Sequence, residues 1–427
     1  MYNYNFINFN KDFHKLYKLI DFQKLKNFKF KPKSYTLLIR DLIDNNLYNL
    51  NYGYFYKQAK IFNLDKPLRF NEIKNELQFN NLVEEVYQSN QRKQLWHTPT
   101  ELFKPHYSHS IVKYILQQYV KYFKQHGNLN IFEIGGGNGT LMLNVLNYLK
   151  EFEPSIYDKT TYNLIEISNT LASKQLKLNF NHHSNKIKVV NKSIFDWNEY
   201  VHDPCFFIAL EVLDNFSHDA IRFNLETPSP IPYQMLVAVD ENGDYHPHYT
   251  PVTDPLIQEY LNIREHLPGY KPSFWSHNKL YRSLVNYIPF APNLSQVEYL
   301  PTKQLEFLKI LKKYFPNHKL IASDFNYLPD TIEGINAPVV QTNVRGDMIP
   351  CDTLFVEPGY FDIFFPTNFN VLSQLYQHLI PTKSFNQFQV LSHKQFLLNY
   401  ADHSQTRLKD GSNPMLDYYN NASFFLS

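Results

Sequence analysis

Ile131-Phe132-Glu133-Ile134-Gly135-Gly136-Gly137-Asn138-Gly139-Thr140 gathers four of the twelve glycines of a 427-residue chain into five positions. Ahead of them, Asn130 to Ile134 reads as a short buried strand. Behind them, Leu141, Val145, Leu146 and Leu149 recur at helical spacing, so the glycines form a strand-to-helix turn. Glycine suits such a turn because it admits positive φ and has no Cβ to hold a ligand away, and the following helix offers unpaired N–H groups. The turn predicts a pocket for a nucleotide-like ligand. The competing reading is a glycine turn kept for tight packing of helix on strand.

Spacing narrows the ligand. A dinucleotide fingerprint puts glycine at the first, third and sixth loop positions, and the sixth here is Thr140; the pattern is instead Glu-x-Gly-x-Gly-x-Gly, from Glu133 to Gly139. S-adenosylmethionine (SAM) has no phosphate; it presents a cationic sulfonium, an amino acid head and an adenosine. Glu133 at the strand end supplies the complementary charge. The stretch therefore points to SAM as cofactor, held by Glu133, Gly135, Gly137 and Gly139.

Working outward, Tyr162 to Ile167 is a second predicted strand carrying Glu166, with a helix over Leu171 to Leu178; Ile187 to Val190 is a third strand, followed by Asp196. Pro204 to Leu210 is a fourth, almost wholly apolar as a parallel strand covered on both faces should be, and it ends in Glu211-Val212-Leu213-Asp214-Asn215. This alternation predicts an α/β fold with a doubly wound, Rossmann-like sheet whose ligand crevice lies at the carboxyl ends of the strands. There Glu166 can accept hydrogen bonds from both ribose hydroxyls. Asp196 can accept from the adenine amino group, or else cap a helix. Glu211 and Asp214, three apart, stand where a methyl acceptor must meet the sulfonium. They could grip a guanidinium and leave one nitrogen free to attack, a role that needs orientation and desolvation more than strong base chemistry. The alternative is a helix start capped by Asp214 or Ser217.

Upstream, Tyr35 to Leu50 and Asn71 to Tyr87 have helical patterns, predicting a helical N-terminal extension over 35–95 that caps a main domain spanning 96–427. Pro99 and Pro105 predict an extended, aromatic entry segment from Leu95 to Tyr107, followed by a helix from Ser110 to Phe123. Between about 228 and 301 the pattern loosens into a strand at Tyr233 to Asp240, a hairpin around Asn242-Gly243-Asp244 and a helix near Leu256 to His266, read as an insertion over the crevice. Further helices are expected at Leu305 to Tyr314 and Phe369 to Leu379, and strands at His318 to Ser323, Thr353 to Glu357 and Phe388 to Leu391.

A formal charge of +2 gives no global field for nucleic acid, although 16% aromatic residues could stack bases as well as fill a core. Cys205 and Cys351 make neither a zinc cluster nor a disulfide framework, which suits a reducing compartment. No apolar run reaches about 18 residues, so no spanning helix is expected. The histidines at 97, 106, 109, 182, 183, 246 and 248 match no zinc spacing, and no metal is expected. The first 34 residues hold eight lysines against Asp12 and Asp21, a net of +6, with Phe and Leu interleaved. This is similar to a mitochondrial presequence in its scarcity of acids, though it lacks arginine, and predicts delivery to the mitochondrial matrix. The alternative is a solvated basic helix.

Four segments taken together resemble the MidA-type SAM-dependent methyltransferases over roughly residues 90–400. They are Leu95-Trp96-His97-Thr98-Pro99-Thr100-Glu101-Leu102-Phe103, Phe132 to Leu141, Leu164-Ile165-Glu166-Ile167-Ser168 and Glu211-Val212-Leu213-Asp214-Asn215. The glycine motif is specific only to the class; the Thr-Pro-x-Glu entry and the order of motifs discriminate further. Mitochondrial members are complex I assembly factors that symmetrically dimethylate an arginine, so the resemblance implies a protein substrate or assembly partner. The better-known members carry Gly-Pro-Gly-Arg-Gly in the loop, a Ser-Pro-Glu entry, and Asn-Glu-Phe-Phe-Asp where this chain has Leu210-Glu211-Val212-Leu213-Asp214. These departures preserve the cofactor logic and leave the arginine acceptor open. A second reading is a catalytically idle relative acting in complex assembly or mitoribosome biogenesis. A third, an RNA methyltransferase, is disfavoured by the lack of a concentrated Lys/Arg patch near the crevice and of an Asn/Asp-Pro-Pro-Tyr/Phe sequence after the fourth strand.

Overall fold

The computed structural model describes residues 17–427 apart from 58, 62–65, 89–93, 97, 184, 226–228, 269–277, 281–282, 284–293, 345–346 and 382–386. Residues 1–16 of the basic segment, His97 of the entry segment and much of the latter half of the 228–301 insertion therefore lie outside the described residues.

The central sheet has seven strands: β1 (Leu129–Ile134), β2 (Thr160–Ile165), β3 (Ile187–Val190), β4 (Cys205–Leu210), β5 (His318–Phe325), β6 (Gln389–Ser392) and β7 (Ala422–Leu426). Their spatial order is β3-β2-β1-β4-β5-β7-β6. Strands β1 to β5 pair in parallel, and β7 runs antiparallel to both of its neighbours. The order reverses direction between β1 and β4, the switch point at which sheets of this kind open a crevice.

Side-chain alternation explains why the sheet is covered on both faces. Phe132, Ile134, Phe207, Ala209, Leu320 and Ala322 enter one core, while Ile131, Phe206, Ile208 and Ile321 enter the other, as the two-residue period of a strand requires. The Thr140–Phe152 helix closes the second core with Leu141, Met142, Val145, Leu146 and Leu149. The Thr302–Tyr314 and Phe369–Leu379 helices close the first. Each fully buried Phe or Leu contributes about 1.5–3 kcal/mol over an exposed one.

A second, six-stranded sheet lies beside the first. It joins Lys18–Leu19 and Tyr35–Leu38 of the N-terminal segment to Asp219–Asn224, Ile231–Val239, Tyr245–Pro251 and Glu298–Leu300. Several expectations change here. Tyr35 to Leu38 is a strand rather than the start of a helix, because Leu37 and Leu38 pair with Val237 and Leu236 some two hundred residues away. Asp219–Asn224, ahead of the segment read as an insertion, also joins this sheet. No strand forms over Thr353 to Glu357; the pairing segment is Asp362–Phe364, against Val339–Gln341. The two prolines start helices instead of enforcing extension. Thr98 caps the one-turn Pro99–Leu102 helix with Pro99 in its first turn, where a missing N–H costs nothing, and Pro105 leads directly into His106–Gln118. From Lys18 onward the basic segment belongs to the fold: Ile20 and Leu25 are buried with Leu37 and Val239, and Asn49 Nδ2 donates to Leu25 O at 2.9 Å.

Candidate cofactor and acceptor site

The glycine turn leaves the carboxyl end of β1 through three left-handed positions, Gly135 (φ 66°), Gly137 (φ 52°) and Gly139 (φ 80°). A Cβ on Gly135 would stand 2.6 Å from Val212 Cγ1, and one on Gly136 would stand 2.6 Å from Leu164 Cδ2. The backbone thus closes on both the β4 and β2 ends at distances only glycine permits. Gly139 caps the Thr140–Phe152 helix with no side-chain hydrogen bond to its first turn, which leaves helix N–H groups for a ligand.

Glu101, from the entry motif, fixes the turn from outside. Its buried Oε1 accepts from Asn138 Nδ2 at 2.8 Å and Thr140 Oγ1 at 2.7 Å, and Oε2 pairs with Lys104 at 3.1 Å. Glu133 lies under the turn, accepting from Tyr162 Oη at 2.8 Å. Burial pushes its carboxyl up to about 7 against the Tyr162 hydrogen bond, with Glu166 adding to the rise.

Glu166 follows β2 and is buried. Oε1 accepts from Ser168 N at 2.8 Å and Oε2 from Gln175 Nε2 at 3.2 Å. Gln175 also donates to Gly137 O at 2.9 Å, so one amide ties the acid after β2 to the glycine turn after β1. Gln175 Oε1 is buried with no hydrogen-bond partner among the described residues. Asp196 ends a short turn whose cap is Ser193, so it is not itself a cap. It is exposed, against Lys26 at 3.5 Å and Gln23 at 3.4 Å of the N-terminal segment.

The β4 end carries the second constellation. Glu211 has a left-handed backbone, φ 53°, a conformation that non-glycine residues adopt rarely and that concentrates at functional sites. No helix follows it; residues 211–218 form an irregular turn that runs into Asp219–Asn224, so the reading of Asp214 or Ser217 as a helix cap is corrected. The turn is held instead by Asp324 at the end of β5, whose Oδ2 accepts from Leu213 N at 2.9 Å and Asp214 N at 3.1 Å. Asp362 stands opposite, its Oδ1 accepting from Asn215 Nδ2 at 3.2 Å. Burial raises all four acids: Asp324 and Asp362 up to about 7, Asp214 and Glu211 well above the carboxylate range, with Asp324 adding to both. Asp214 Oδ1 is buried without a hydrogen-bond partner among the described residues.

These features fit SAM: a cradle that a Cβ would fill, a buried acid just past β2 and an orphaned amide oxygen beside it. Glu133, Glu166, the glycines, Glu211 and Asp214 all come to the β2-β1-β4 ends. Glu101, Gln175, Asp324 and Asp362 join them without having been assigned a role from sequence. His106 and His109 lie edge to face with ring centroids 6.2 Å apart; His183 bonds Tyr157 and Asn147, and His246 bonds Asp240.

A Schizosaccharomyces pombe protein, the mitochondrial protein arginine methyltransferase NDUFAF7 homolog, is 25% identical over 264 residues, 55% of this chain and 51% of its own length. The chain thus spans about half the length of that relative. A Burkholderia thailandensis protein solved with bound S-adenosyl-homocysteine superposes with a TM-score of 0.56 at 12% identity, over 92% of this chain and 88% of that one. A second structure from the same organism gives 0.50 at 12% identity over 76% and 79%. Both share the fold. The family profile for "putative S-adenosyl-L-methionine-dependent methyltransferase" matches residues 110–385, which is well over half of the chain, and the chain therefore belongs to this MidA-type family.

Proposed function

We propose that the protein is a SAM-dependent methyltransferase of the mitochondrial matrix. Its acceptor is a cationic side chain, an arginine guanidinium, of a protein partner in respiratory-complex assembly. The observation that carries the acceptor is the group of buried acids at the β4 and β5 ends, with one oxygen of Asp214 unsatisfied. Buried carboxylates without a counter-charge are costly unless a cation completes them. The S. pombe relative, a mitochondrial protein arginine methyltransferase homolog, supports both the acceptor and the location.

Bound SAM supplies an electrophilic methyl carbon whose bonding pair leaves with sulfur. The chain's residues do the rest. Gly135, Gly137 and Gly139 let the backbone approach the cofactor, Glu166 accepts from the ribose hydroxyls, and Glu133 and Gln175 hold the turn and Glu166 in register; Asp196 is the candidate for the adenine end. Glu211 and Asp214 accept hydrogen bonds from a guanidinium, strip it of water and aim one nitrogen at the methyl position. A raised carboxyl can then take the proton that the nitrogen gives up.

The test is transfer of radiolabel from SAM into a mitochondrial extract lacking the endogenous protein. Wild type is expected to label protein, with the label recovered as methylarginine after hydrolysis. Glu211→Gln is expected to bind SAM within about threefold of wild type while transfer falls by about a hundredfold or more, the pattern of a contact made to the acceptor. Label in RNA, or SAM binding without label in any macromolecule, would replace this reading with the RNA methyltransferase or the idle assembly factor respectively.

A further inference from the structure

The N-terminal extension crosses the crevice. The Ile39–Tyr48 helix ends, the chain turns through Asn49 to Gly53, and the short Tyr54–Lys57 helix follows. On one side of the turn, Tyr48 Oη donates to Asn215 O, just past β4, at 2.9 Å. On the other, Tyr56 Oη donates to Ile167 O, just past β2, at 2.9 Å. In the sheet β4 and β2 flank β1, so the two hydroxyls bracket the glycine turn at the β1 end.

This crossing is a fixed bridge. Asn49 Oδ1 accepts from Asn51 N at 2.8 Å and Tyr52 N at 3.2 Å, and Tyr52 Oη donates to Asn45 Oδ1 at 2.8 Å. Gly53 N donates to Asn49 O at 2.8 Å, and a Cβ on Gly53 would stand 2.6 Å from Asn49 backbone atoms. The turn is therefore packed on itself with no room for a side chain at its last position.

The bridge carries an aromatic pair. Phe55 stacks on Tyr48 with ring centroids 5.4 Å apart and planes 19° apart, and both are half-buried. Tyr48 is within electrostatic reach of Asp44, Asp214 and Asp362. A ring face attracts a cation through its quadrupole. A guanidinium, unlike an ammonium, can lay its plane on a ring while its N–H edge meets carboxylates. We infer that Tyr48 and Phe55 form the aromatic wall of the acceptor pocket and hold the plane of a guanidinium against Asp214, so that the N-terminal extension takes part in choosing the acceptor. This rests on the cationic-acceptor reading above, whereas the cofactor reading stands without it.

The experiment uses the full chain saturated with S-adenosyl-homocysteine and three peptides that differ only in a central arginine, lysine or citrulline, the last a neutral mimic of arginine. The arginine peptide is expected to bind at least about tenfold more tightly than the citrulline peptide, the gain of charge-assisted pairing. Phe55→Ala is expected to lower arginine-peptide affinity by about 3- to 30-fold, the range of a cation–π contact, with citrulline binding unchanged and Phe55→Trp restoring the preference. Phe55→Leu keeps the apolar volume and separates loss of the ring from loss of the fold: it should melt like wild type yet behave like Phe55→Ala. An arginine preference that survives in Phe55→Leu overturns the wall and leaves the acceptor reading standing. Equal binding of arginine and citrulline peptides by wild type overturns both, and a wild type that does not bind SAM overturns the cofactor reading itself.

Discussion

Asp214 keeps one carboxylate oxygen unpartnered while Asp324, Asp362 and Glu211 raise its proton affinity further, so a function for its charge would run against stability. A carboxyl whose folded pKa lies above its ordinary value holds its proton longer in the folded chain. The folded state is therefore penalised progressively as pH rises above the ordinary carboxylate range. Asp214→Asn should accordingly be more stable than wild type at pH 8 in urea titrations, and the difference should shrink toward zero as pH approaches 4; a pH-independent difference would mean that Asp214 is not a buried charge. Glu166→Ala removes the acceptor expected for ribose and should weaken SAM binding by about 1.5–3 kcal/mol, the worth of a charge-assisted hydrogen bond, as read by calorimetry. An unchanged affinity would return Glu166 to a purely structural role. Glu133, the glycines, Glu166 and Glu211 were legible because each sits at a strand end within a short motif. Asp324 had a weak signal, one residue past the predicted strand His318 to Ser323. Gln175 and Asp362 had none, since a polar residue in an amphipathic helix or a distant strand looks the same whether or not it faces a crevice.

At the scale of elements, Arg40 ties the Ile39–Tyr48 helix to the Asp219–Asn224 strand and to Asp254, the cap of the Pro255–Glu265 helix. Arg40 Nη1 donates to Asp219 Oδ2 at 2.7 Å and Asp254 at 2.8 Å, and Nη2 donates to Asp254 at 2.6 Å; Thr302 Oγ1 donates to the same Asp219 oxygen at 2.6 Å. Removing one partner of a buried ion pair leaves the other charge uncompensated, so Arg40→Ala should lower unfolding free energy by about 3–5 kcal/mol. A loss under about 1 kcal/mol, typical of exposed pairs, would show the junction to be solvated. The five parallel strands and their helices were readable from period and apolarity, because a strand covered on both faces is nearly all apolar. Tyr35 to Leu38 was misread because four apolar and polar residues before a helix carry no local mark of a partner at Ile231–Val239. Pro99 and Pro105 were misread because proline at a helix start and proline in an extended chain have the same φ.

At the scale of the molecule, the second sheet makes the N-terminal segment and the insertion one structural unit beside the crevice, and this bears on targeting. A cut at residue 34 would remove Ile20 and Leu25 from their cluster with Leu37 and Val239 and the Phe22 N–H from Asp41. Deleting residues 1–34 should therefore lower the melting temperature well below that of a chain lacking only 1–16, and equal melting temperatures would contradict this placement. For location, a reporter bearing residues 1–34 is expected to reach mitochondria, and one that stays cytosolic would favour a solvated basic segment. What composition could not reveal is that this unit is built from stretches some two hundred residues apart in the chain.

The central claim is that the turn from Gly135 to Gly139 holds SAM, and calorimetric titration of the full-length protein with SAM tests it most directly, with Gly135→Ala alongside. Wild type should bind one equivalent. Gly135→Ala, which combines φ 66° with a Cβ placed 2.6 Å from Val212 Cγ1, should bind at least about tenfold more weakly, a penalty of 1.4 kcal/mol or more. Absence of heat with wild type, or equal affinity in the variant, would contradict the account.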